Sequence, residues 1–530
     1  MIADTIVLVV GAGPTGLLLA SELRRRSVEC CVIDAHPAPL HWDRATVVHP
    51  RSLEVFESLG LLKPLLAAGV KQRGARLYSA GSVLGEIDLS SCGSRYGFNI
   101  GISEDVTESI LTDYLHRLGG EVIRSTRLIG LEDHKDGILA TMQWGAATRQ
   151  VSARWVVGCD GLHSVTRTLS GIDLIGHDIP EPWAVFDATL VGWPNSYEAN
   201  YVYLDETPVI LTALPDRRWR VYLRPASPDS DLVADASSTI SRYFPAVSFD
   251  GVAHPQRFHC HTKVAKRFRS GRVFLAGDAA HVCSPAQGHG MNSGLQDAFN
   301  LAWKLALVCH GCTSILLDSY EAERRPVAET ITASGDMVEF VQMVSDPAKR
   351  RTRDETLRAV FADPSSRHHE AIAEAELDVD YEGSPIVMGD KNDALGPGQR
   401  LPDTIEICLA DRSTCMLYEL ANRAGHTALL IGGLSAQRET LARLESAIRS
   451  RSQACVIEAI VVLTSSIDEQ NQYARIAPAA ADKLGVGEIT LLVIRPDGHI
   501  GLRADHNQIE ALVAYQALFV SASKNGTSKR

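Results

Sequence analysis

Short apolar runs alternate with amphipathic segments at the start of the chain. Thr5–Val10 is an apolar run with the length of one buried strand, Leu17–Arg26 has apolar positions at helical spacing, and Glu29–Ile33 is a second apolar run. A strand, a helix and a strand in this order predict a βαβ unit in a parallel sheet. The same character returns at Arg272–Gly277, which precedes a predicted long helix over Ser293–Val308. The pattern predicts an α/β fold.

The middle of the chain instead alternates apolar and polar residues, as strands with one buried face do. The alternation is found at Arg76–Leu89 and in three later runs between turn-like residues: Ala199–Leu204, Val209–Leu214 and Trp219–Leu223. These runs predict an antiparallel sheet that is inserted between pieces of the α/β domain.

The pattern changes twice more towards the end. Residues 346–395 are rich in arginine and acidic residues and predict surface helices in a linker. From Gly396 a second α/β pattern begins, and the polar tail Ser521–Arg530 is expected to fray. The predicted strands and helices of this last region are Thr427–Ile431, Ala436–Arg449, Cys455–Leu463, Ile489–Ile494 and Asn507–Leu518.

Composition and charge argue against several classes of protein. With 45% hydrophobic and 22% charged residues, the chain can bury an ordinary core. A net charge of -12 argues against a nucleic-acid partner and against docking on an anionic membrane. No apolar run reaches the roughly 18 residues that span a bilayer. Met1–Val10 lacks a basic start and leads into a glycine motif, so we expect a strand there rather than a signal peptide.

The eleven cysteines are scattered, several of them in apolar segments, which is typical of reduced thiols in a cytoplasmic protein. One Cys-x-x-Cys motif, Cys309–Cys312, follows the predicted long helix and contains Gly311. We interpret it as the end of that helix rather than as a redox or zinc motif. No metal site is expected.

A glycine motif follows the first strand directly. It reads Gly11-Ala12-Gly13-Pro14-Thr15-Gly16 and opens the first helix, so that backbone N–H groups and the helix N-terminus can face a pyrophosphate. Asp34, at the end of the second strand, can accept hydrogen bonds from an adenosine ribose. The motif predicts a dinucleotide site but does not distinguish FAD from NAD.

Three more motifs occur downstream. They are Asp43-Arg44-Ala45-Thr46 followed by His49–Glu54, the segment Ala153–Gly161 ending in Asp160-Gly161, and Arg272–Leu305 with Gly277-Asp278 and the loop Pro285–Asn292. In this order, and over nearly the whole chain, they resemble the class A flavoprotein monooxygenases, which have the para-hydroxybenzoate hydroxylase fold. Gly398–Asp403 and Leu491–Gly498 are similar to the C-terminal thioredoxin-like domain of the phenol hydroxylase branch.

The resemblance implies a Rossmann-like FAD-binding domain with an inserted sheet and a C-terminal domain. The implied boundaries are 1–75, 99–177 and 263–345 for the FAD-binding domain, 76–98 and 178–262 for the substrate-binding sheet, 346–395 for a helical linker and 396–520 for the thioredoxin-like domain. The last region has no Cys-x-x-Cys motif, so we expect a structural or dimer-supporting role without redox activity.

Tightly bound FAD is implied, with NADH or NADPH as a transient reductant that needs no Rossmann domain of its own. Arg44 is expected along the FAD and Asp278 at the ribityl hydroxyls. The loop after it, with the positive end of the next helix, is expected near the flavin pyrimidine edge. The residues expected to hold the cofactor are Gly11, Gly13, Pro14, Thr15, Gly16, Asp34, Arg44, Glu104, Asp160, Gly161, Gly277, Asp278, Pro285, Gly288, Gly290, Met291 and Asn292.

Three positions depart from the family's pattern. Glu104 stands where a glutamine is usual near the flavin, Gln287 where a small residue is usual, and Ser284 where proline is common. A buried carboxylate beside an anionic reduced flavin is unfavourable unless a cation such as Arg44 pairs with it or it is protonated. The departures concern the loop geometry more than the flavin site.

The implied reaction is hydroxylation of an aromatic, phenolic small molecule. NAD(P)H reduces FAD, molecular oxygen adds at the flavin C4a, and the hydroperoxide delivers oxygen to an electron-rich ring. A nearby base or cation that favours the phenolate would assist. The candidate residues on the inserted sheet are Tyr201 and Tyr203, which share one face, and Arg220 and Tyr222, which also share a face. His289 in the loop Pro285–Asn292, called the flavin loop below, is a further candidate. Packing within the sheet is the alternative role for the tyrosines, and His49 is interpreted as structural.

Other functions stay open at this point. An enzyme of the same fold can epoxidise, perform a Baeyer–Villiger insertion or tailor a polyketide, and a non-catalytic homologue can bind a ligand without turnover. The intact glycine motif together with Asp160, Gly277 and Asp278 argues against the non-catalytic homologue. A homodimer is suggested by the resemblance alone.

Overall fold

The structure, a computed structural model, describes residues 4–40, 45–466 and 473–520. Its backbone divides into two units, each of which buries hydrophobic residues of its own. The first unit consists of Met1–Arg24, Glu29–Ala298 and Arg325–Asp378, and the second of Arg25–Val28, Phe299–Arg324 and Val379–Arg530.

The helices begin and end close to the predicted positions. The predicted long helix, for example, is observed as His289–Cys309. The α-helices of the described residues are Pro14–Arg25, Pro50–Ser58, Leu62–Ala68, Glu104–Arg117, Val165–Leu169, Leu232–Ile240, His289–Cys309, Asp318–Gln342, Pro347–Ala362, Pro364–Glu374, Leu417–Ala421, Arg438–Arg451, Pro478–Lys483 and Gln508–Ala517.

A largely parallel sheet forms the base of the first unit. Thr5–Val10 lies between Cys30–Ile33 and Ala147–Gly158 and pairs with both in parallel. Val273–Leu275 extends the sheet on the far side of Ala147–Gly158, again in parallel. Thr5–Val10 and Val273–Leu275 are short, apolar and mostly buried, because helices cover parallel sheets on both faces. The sheet is completed by Val122–Ile123, Arg269–Ser270 and the antiparallel strands Thr126–His134 and Gly137–Trp144.

The inserted sheet is also in the first unit. In order, its strands are Ser248–Phe258, Trp183–Val191, Arg218–Leu223, Val209–Leu214, Asn200–Tyr203, Gly74–Ser79 and Ser82–Asp88. All neighbours are antiparallel except Asn200–Tyr203 and Gly74–Ser79, which run in parallel. Two small sheets accompany it: Leu174–Asp178 with His261–Ala265 and His281–Val282, and Val47–Val48 with Asn99–Gly101 and Val70–Gln72.

The second unit contains a mixed sheet. In order, its strands are Met388–Gly389, Ile500–Ala504, Ile489–Ile494, His426–Gly432, Ile457–Thr464, Ala474–Ile476, Glu406–Cys408 and Thr414–Met416. His426–Gly432 is parallel to Ile457–Thr464 and antiparallel to Ile489–Ile494. The assignment of this region as a thioredoxin-like domain stays a prediction.

A buried charge network crosses the interior of the second unit. Arg495 donates from Nη1 and Nη2 to the two carboxylate oxygens of Glu323, each at 2.8 Å, and from Nε to Asp497 Oδ1 at 3.0 Å. Lys304 Nζ donates to Glu323 Oε2 at 2.7 Å. All four side chains are almost fully buried, so each charge depends on its partners.

The Cys-x-x-Cys motif is a helix end, as predicted. The helix stops at Cys309, and Gly311 has a φ of +106°, a conformation that L side chains rarely adopt. None of the eleven cysteines, which all lie in the described ranges, forms a disulfide. No helix among the described residues has the length and apolar character needed to cross a membrane.

Candidate active site

The glycine motif combines two positions that require glycine for packing with one that leaves open space. A Cβ on Gly11, whose φ is +103°, would lie 2.3 Å from the Cys159 carbonyl oxygen, and a Cβ on Gly16 would lie 2.0 Å from Gly11 O. A Cβ on Gly13 would meet nothing nearer than Glu108 Oε1 at 3.7 Å. Gly13 therefore borders free space at the N-terminus of the first helix, where anions bind.

Asp34 closes the glycine turn from the neighbouring strand. Its Oδ2 accepts the Ala12 N–H at 2.8 Å and its Oδ1 accepts the His36 N–H at 2.8 Å. The Arg124 guanidinium lies 3.7 Å from Oδ1. The carboxylate thus holds the turn in place through the backbone.

The Asp160-Gly161 motif is held by its own carboxylate. Asp160 accepts Ser164 Oγ–H at 2.5 Å and the Thr166 N–H at 2.9 Å, and so satisfies an N–H group at the start of the short helix that follows. Arg167 then joins this motif to the Gly277-Asp278 motif, because its guanidinium donates to Leu162 O at 2.7 Å and to Ala279 O at 3.0 Å.

The Gly277-Asp278 turn rests on a buried carboxylate and on the glycine motif. Asp297, fully buried, accepts the Gly277 N–H at 3.0 Å and a ring N–H of His281 at 2.8 Å. Gly277 has a φ of +60°, and a Cβ there would lie 2.7 Å from Thr15 Oγ1. The glycine motif and the Gly277-Asp278 motif therefore pack directly on each other.

Polar side chains attach the flavin loop to its surroundings. Asn292 donates from Nδ2 to Val47 O at 2.9 Å and accepts the His49 N–H at 3.0 Å. Ser284 and Gln287, which depart from the family's usual residues at this loop, both form hydrogen bonds with the helix Asp318–Gln342. Ser284 Oγ–H donates to Glu339 Oε2, and Ser334 Oγ–H donates to Gln287 Oε1, each at 3.1 Å. These polar residues therefore replace the small residue and the proline with specific loop-to-helix hydrogen bonds.

Glu104 lies in the first turn of the helix Glu104–Arg117, and its Oε2 accepts the Ala45 N–H at 3.3 Å. A negative side chain is favourable at a helix N-terminus. The backbone thus contributes to stabilising a carboxylate that was expected to need either a cation or protonation beside a reduced flavin. Arg44, the expected cation, lies outside the described residues.

These motifs line one cavity of about 950 Å³. One part is bordered by the glycine motif, the Asp160-Gly161 motif and the flavin loop. The other part is bordered by the inserted sheet, by the end of the helix Asp318–Gln342 and by the helices Pro347–Ala362 and Pro364–Glu374. The apolar side chains of this second part are Leu77, Ile87, Val202, Leu204, Ile210, Phe258, Met337, Val338, Val341, Leu357 and Phe361.

Tyr222 carries a polar group from the sheet to the cavity wall. Its hydroxyl lies 3.2 Å from Thr46 Oγ1, and Thr46 lines the cavity too. Burial raises the pKa of Tyr222, although the neighbouring Arg220 guanidinium opposes this by charge and by a hydrogen bond to the hydroxyl. Arg220 is fixed by a bidentate bond to Asp187, at 2.6 Å and 2.9 Å.

Residues 4–334 match the protein family described as FAD binding domain. The chain is 30% identical to pentachlorophenol 4-monooxygenase of Sphingobium chlorophenolicum, over 98% of this chain and 97% of that protein. The chain belongs to the FAD-dependent aromatic monooxygenases. It is also 30% identical to 6-methylpretetramide 4-monooxygenase of Streptomyces rimosus, over 96% and 92% of the two chains. The solved anhydrotetracycline hydroxylase of Streptomyces rimosus superposes with a TM-score of 0.75 at 28% identity, covering 97% of this chain and 99% of that one.

The residues of this monooxygenase fit its cofactor FAD. The space beside Gly13 admits a phosphate where a side chain would exclude it, and the cavity continues from there to the flavin loop. Most of the cofactor residues predicted from sequence border that space. They are Gly13, Pro14, Thr15, Glu104, Asp160, Gly161, Asp278, Pro285, Gly288, Gly290 and Met291.

Other predicted cofactor residues of the monooxygenase act behind the cavity wall. Gly11, Gly16 and Gly277 allow close packing, while Asp34 and Asn292 hold the turn and the loop through hydrogen bonds. None of these five borders the cavity. A direct contact of Asp34 with a ribose stays a prediction.

The predicted catalytic candidates separate into two groups. Tyr201 and Tyr203 share a face, as expected, but that face packs into the hydrophobic cluster with Tyr78 and Trp219, and the Tyr201 hydroxyl donates to Ser196 O at 2.7 Å. The structure corrects the prediction for Tyr201, because Asn200 and Val202 point to the cavity instead. His289 is likewise buried away from the cavity, so its assignment as a flavin or substrate contact is also corrected. Tyr222, with the neighbouring Arg220, remains a catalytic candidate.

The linker helices are the part of the site that sequence reasoning missed. Leu357 and Phe361 line the cavity from one helix, and His369, Ala373 and Glu374 from the next. The spacing of four between Leu357 and Phe361, and between His369 and Ala373, marks one helix face, which is the available signal. Because the segment carries many charged residues, the sequence predicted surface helices there instead of a cavity wall.

Proposed function

We propose that this monooxygenase hydroxylates a phenolic ring that binds between the flavin loop and the inserted sheet. The observation that carries the proposal is the hydroxyl of Tyr222 at the cavity wall, bonded to Thr46 and Arg220. FAD, when bound, supplies the electrons from NADH or NADPH and the activation of molecular oxygen. The protein binds and orients the ring and adjusts its charge.

The proposed role of Tyr222 is to donate a hydrogen bond to the phenolate oxygen. Its raised pKa keeps the hydroxyl protonated near neutral pH, so that it is a donor. Arg220 places a positive charge behind that hydroxyl, and the bond to Asp187 keeps the guanidinium in position. A donor backed by a cation favours the phenolate over the phenol, and the phenolate ring is the better nucleophile.

The apolar walls support a substrate with a substantial hydrophobic surface. Sheet residues such as Val202 and Ile210 and helix residues such as Val338 and Phe361 line the same cavity. Relatives named for pentachlorophenol and for 6-methylpretetramide cover both monocyclic and polyketide substrates. Tailoring of a polycyclic phenol is therefore the second candidate function.

Two further assignments accompany the proposal. A cytoplasmic location is supported by the eleven cysteines without disulfides. The proposal of a homodimer rests on the resemblance to the family alone.

The test begins with the visible spectrum of the purified protein, followed by NADH and NADPH oxidation with monocyclic and polycyclic phenols. We expect a flavin spectrum, oxidation stimulated by one class of phenol, and a product that has gained one oxygen atom from labelled O₂. Failure to bind FAD would overturn the proposal and favour a ligand-binding homologue. A product carrying oxygen inserted next to a ketone would favour Baeyer–Villiger chemistry instead.

A further inference from the structure

A cluster of three buried side chains lies behind the flavin loop. His49 directly precedes the helix Pro50–Ser58, His289 is the first residue of His289–Cys309, and Glu376 follows Pro364–Glu374. One nitrogen or oxygen atom from each side chain lies within 4.8 Å of the others. None of the three borders the cavity.

His289 is buried in a way that calls for a partner. Its side chain is 6% exposed, and neither Nδ1 nor Nε2 has a hydrogen-bond partner among the described residues. The ring of His289 meets the His49 ring edge to face, with the centroids 5.1 Å apart. A buried imidazole without partners has lost its hydrogen bonds to water and has gained none from the protein. A bound ion or water is the usual explanation.

The surrounding hydrogen bonds orient the other two groups. Asn99 Nδ2 donates to Glu374, so its Oδ1 is left to accept the Nδ1–H of His49 at 3.2 Å. In that tautomer the His49 Nε2 carries a lone pair. Gln296 Nε2 donates to Glu376 Oε2 at 2.5 Å. Hydrogen bonds that fix a histidine tautomer and a carboxylate from behind are the usual support of a metal site.

Both imidazoles are available as neutral ligands. Nε2 of His49 and both ring nitrogens of His289 are buried without a hydrogen-bond partner among the described residues, so each ring offers a nitrogen to an ion. Two imidazole nitrogens with one carboxylate oxygen match Zn²⁺ and similar transition metals, whereas Mg²⁺ and Ca²⁺ prefer oxygen ligands alone.

We propose that His49, His289 and Glu376 hold a divalent cation of the Zn²⁺ type. The site is structural, because it lies outside the cavity. It ties the first residue of the long helix, directly after Gly288 of the flavin loop, to the segments that contain His49 and Glu376. The ion would thereby brace the loop from the side away from the cofactor.

The experiment is the zinc content of the FAD-loaded protein, expressed with added zinc and passed through gel filtration in metal-free buffer. We expect roughly one zinc per chain, as one closed site requires. His289→Gln and Glu376→Gln should each lower the content by about tenfold or more while the flavin spectrum is retained. The matched control is His368→Gln, an exposed histidine on the helix Pro364–Glu374, which should leave the zinc content unchanged.

A second measurement guards against variants that fail to fold. Zinc-edge X-ray absorption of the unaltered protein should show imidazole scattering with nitrogen ligands at about 2.0–2.1 Å. The carbonyls of Gln287 and Gly288 also face the His49 ring, and a hydrogen bond from Nε2 to either is the competing arrangement. Protein without zinc after supplementation, a buried water alone between the rings, or zinc content independent of His289 would each overturn the proposal.

Discussion

At the scale of single residues, the two kinds of glycine in the first motif can be separated by experiment. Gly13→Ala adds a methyl group where no protein atom lies nearer than Glu108 Oε1 at 3.7 Å, whereas Gly11→Ala forces one against Cys159 O at a φ of +103°. We expect Gly13→Ala to keep a melting temperature near that of the unaltered protein but to weaken FAD binding by about tenfold or more, because the phosphate approach is blocked. Gly11→Ala should also weaken FAD binding and should lower the melting temperature, with a loss of roughly 2 kcal/mol or more in stability.

The measurements are the flavin content after gel filtration, an FAD titration and thermal unfolding of the apoprotein. Equal FAD affinity in Gly13→Ala and the unaltered protein would show that the pyrophosphate does not lie against this turn. Equal melting temperatures for the Gly11→Ala and Gly13→Ala variants would contradict the packing argument.

Tyr222 and Tyr201 form a matched pair on opposite faces of one sheet. Tyr222→Phe removes the hydroxyl that faces the cavity, and we expect hydroxylation to fall by about 10²-fold, the scale of a lost proton-transfer or hydrogen-bonding group. More of the NAD(P)H oxidised should then yield hydrogen peroxide instead of product. Tyr201→Phe removes only a bond to Ser196 O and should cost about 1 kcal/mol of stability with little change in rate.

The pH profile distinguishes a chemical role of Tyr222 from a packing role. If its hydroxyl favours the phenolate, the rate of Tyr222→Phe should rise with pH further into the alkaline range than that of the unaltered enzyme. Identical profiles, scaled by a constant, would reduce Tyr222 to a packing residue.

At the scale of elements, the buried charges of the second unit link the segment Phe299–Arg324 to the turn after Ile489–Ile494. Burial by itself raises the pKa of Glu323, but Arg495 and Lys304 outweigh it and lower the pKa to about 2. The folded pKa is thus below the ordinary value of 4.5. The stabilising contribution is therefore complete above pH 4.5 and is lost as the pH falls towards 2.

Glu323→Gln should remove this acid-dependent step. We expect a loss of about 3 kcal/mol near neutral pH, with a much smaller difference from the unaltered protein at pH values near 2. The control is Glu382→Gln, which breaks an exposed pair with Lys391 and should leave stability close to that of the unaltered protein. Denaturant unfolding at several pH values tests this, and a pH-independent loss for Glu323→Gln would contradict it.

At the scale of the whole molecule, the cofactor site unites segments far apart in the chain. Gly13 and Asp160 border the same cavity as Asp278 and the loop Pro285–Asn292. We expect FAD added to the apoprotein to raise the melting temperature and to slow amide hydrogen exchange in all of these segments together, since one ligand that fills the cavity would contact them all. Protection confined to one segment would mean that the dinucleotide occupies only part of the cavity.

The sequence by itself determined much of the architecture. The βαβ opening, the alternating strands and the long helix are local patterns, and a run such as Val209–Leu214 is observed with the bounds that the alternation predicted. The FAD motifs were equally recognisable, because close backbone packing and phosphate binding restrict the residue type at single positions such as Gly11 and Gly13. Chemistry that depends on backbone geometry leaves a signature in sequence.

The tertiary structure alone decided what surrounds those motifs. Period-2 alternation places Tyr201 and Tyr203 on one face, but only the packing against Trp219 shows that this face is the core. In the same way, charged helices such as Pro364–Glu374 look solvent-exposed until the sheet opposite them is known. His49, His289 and Glu376 share no motif and meet only in the fold. The substrate side and the proposed metal cluster depend on long-range proximity, which no local pattern encodes.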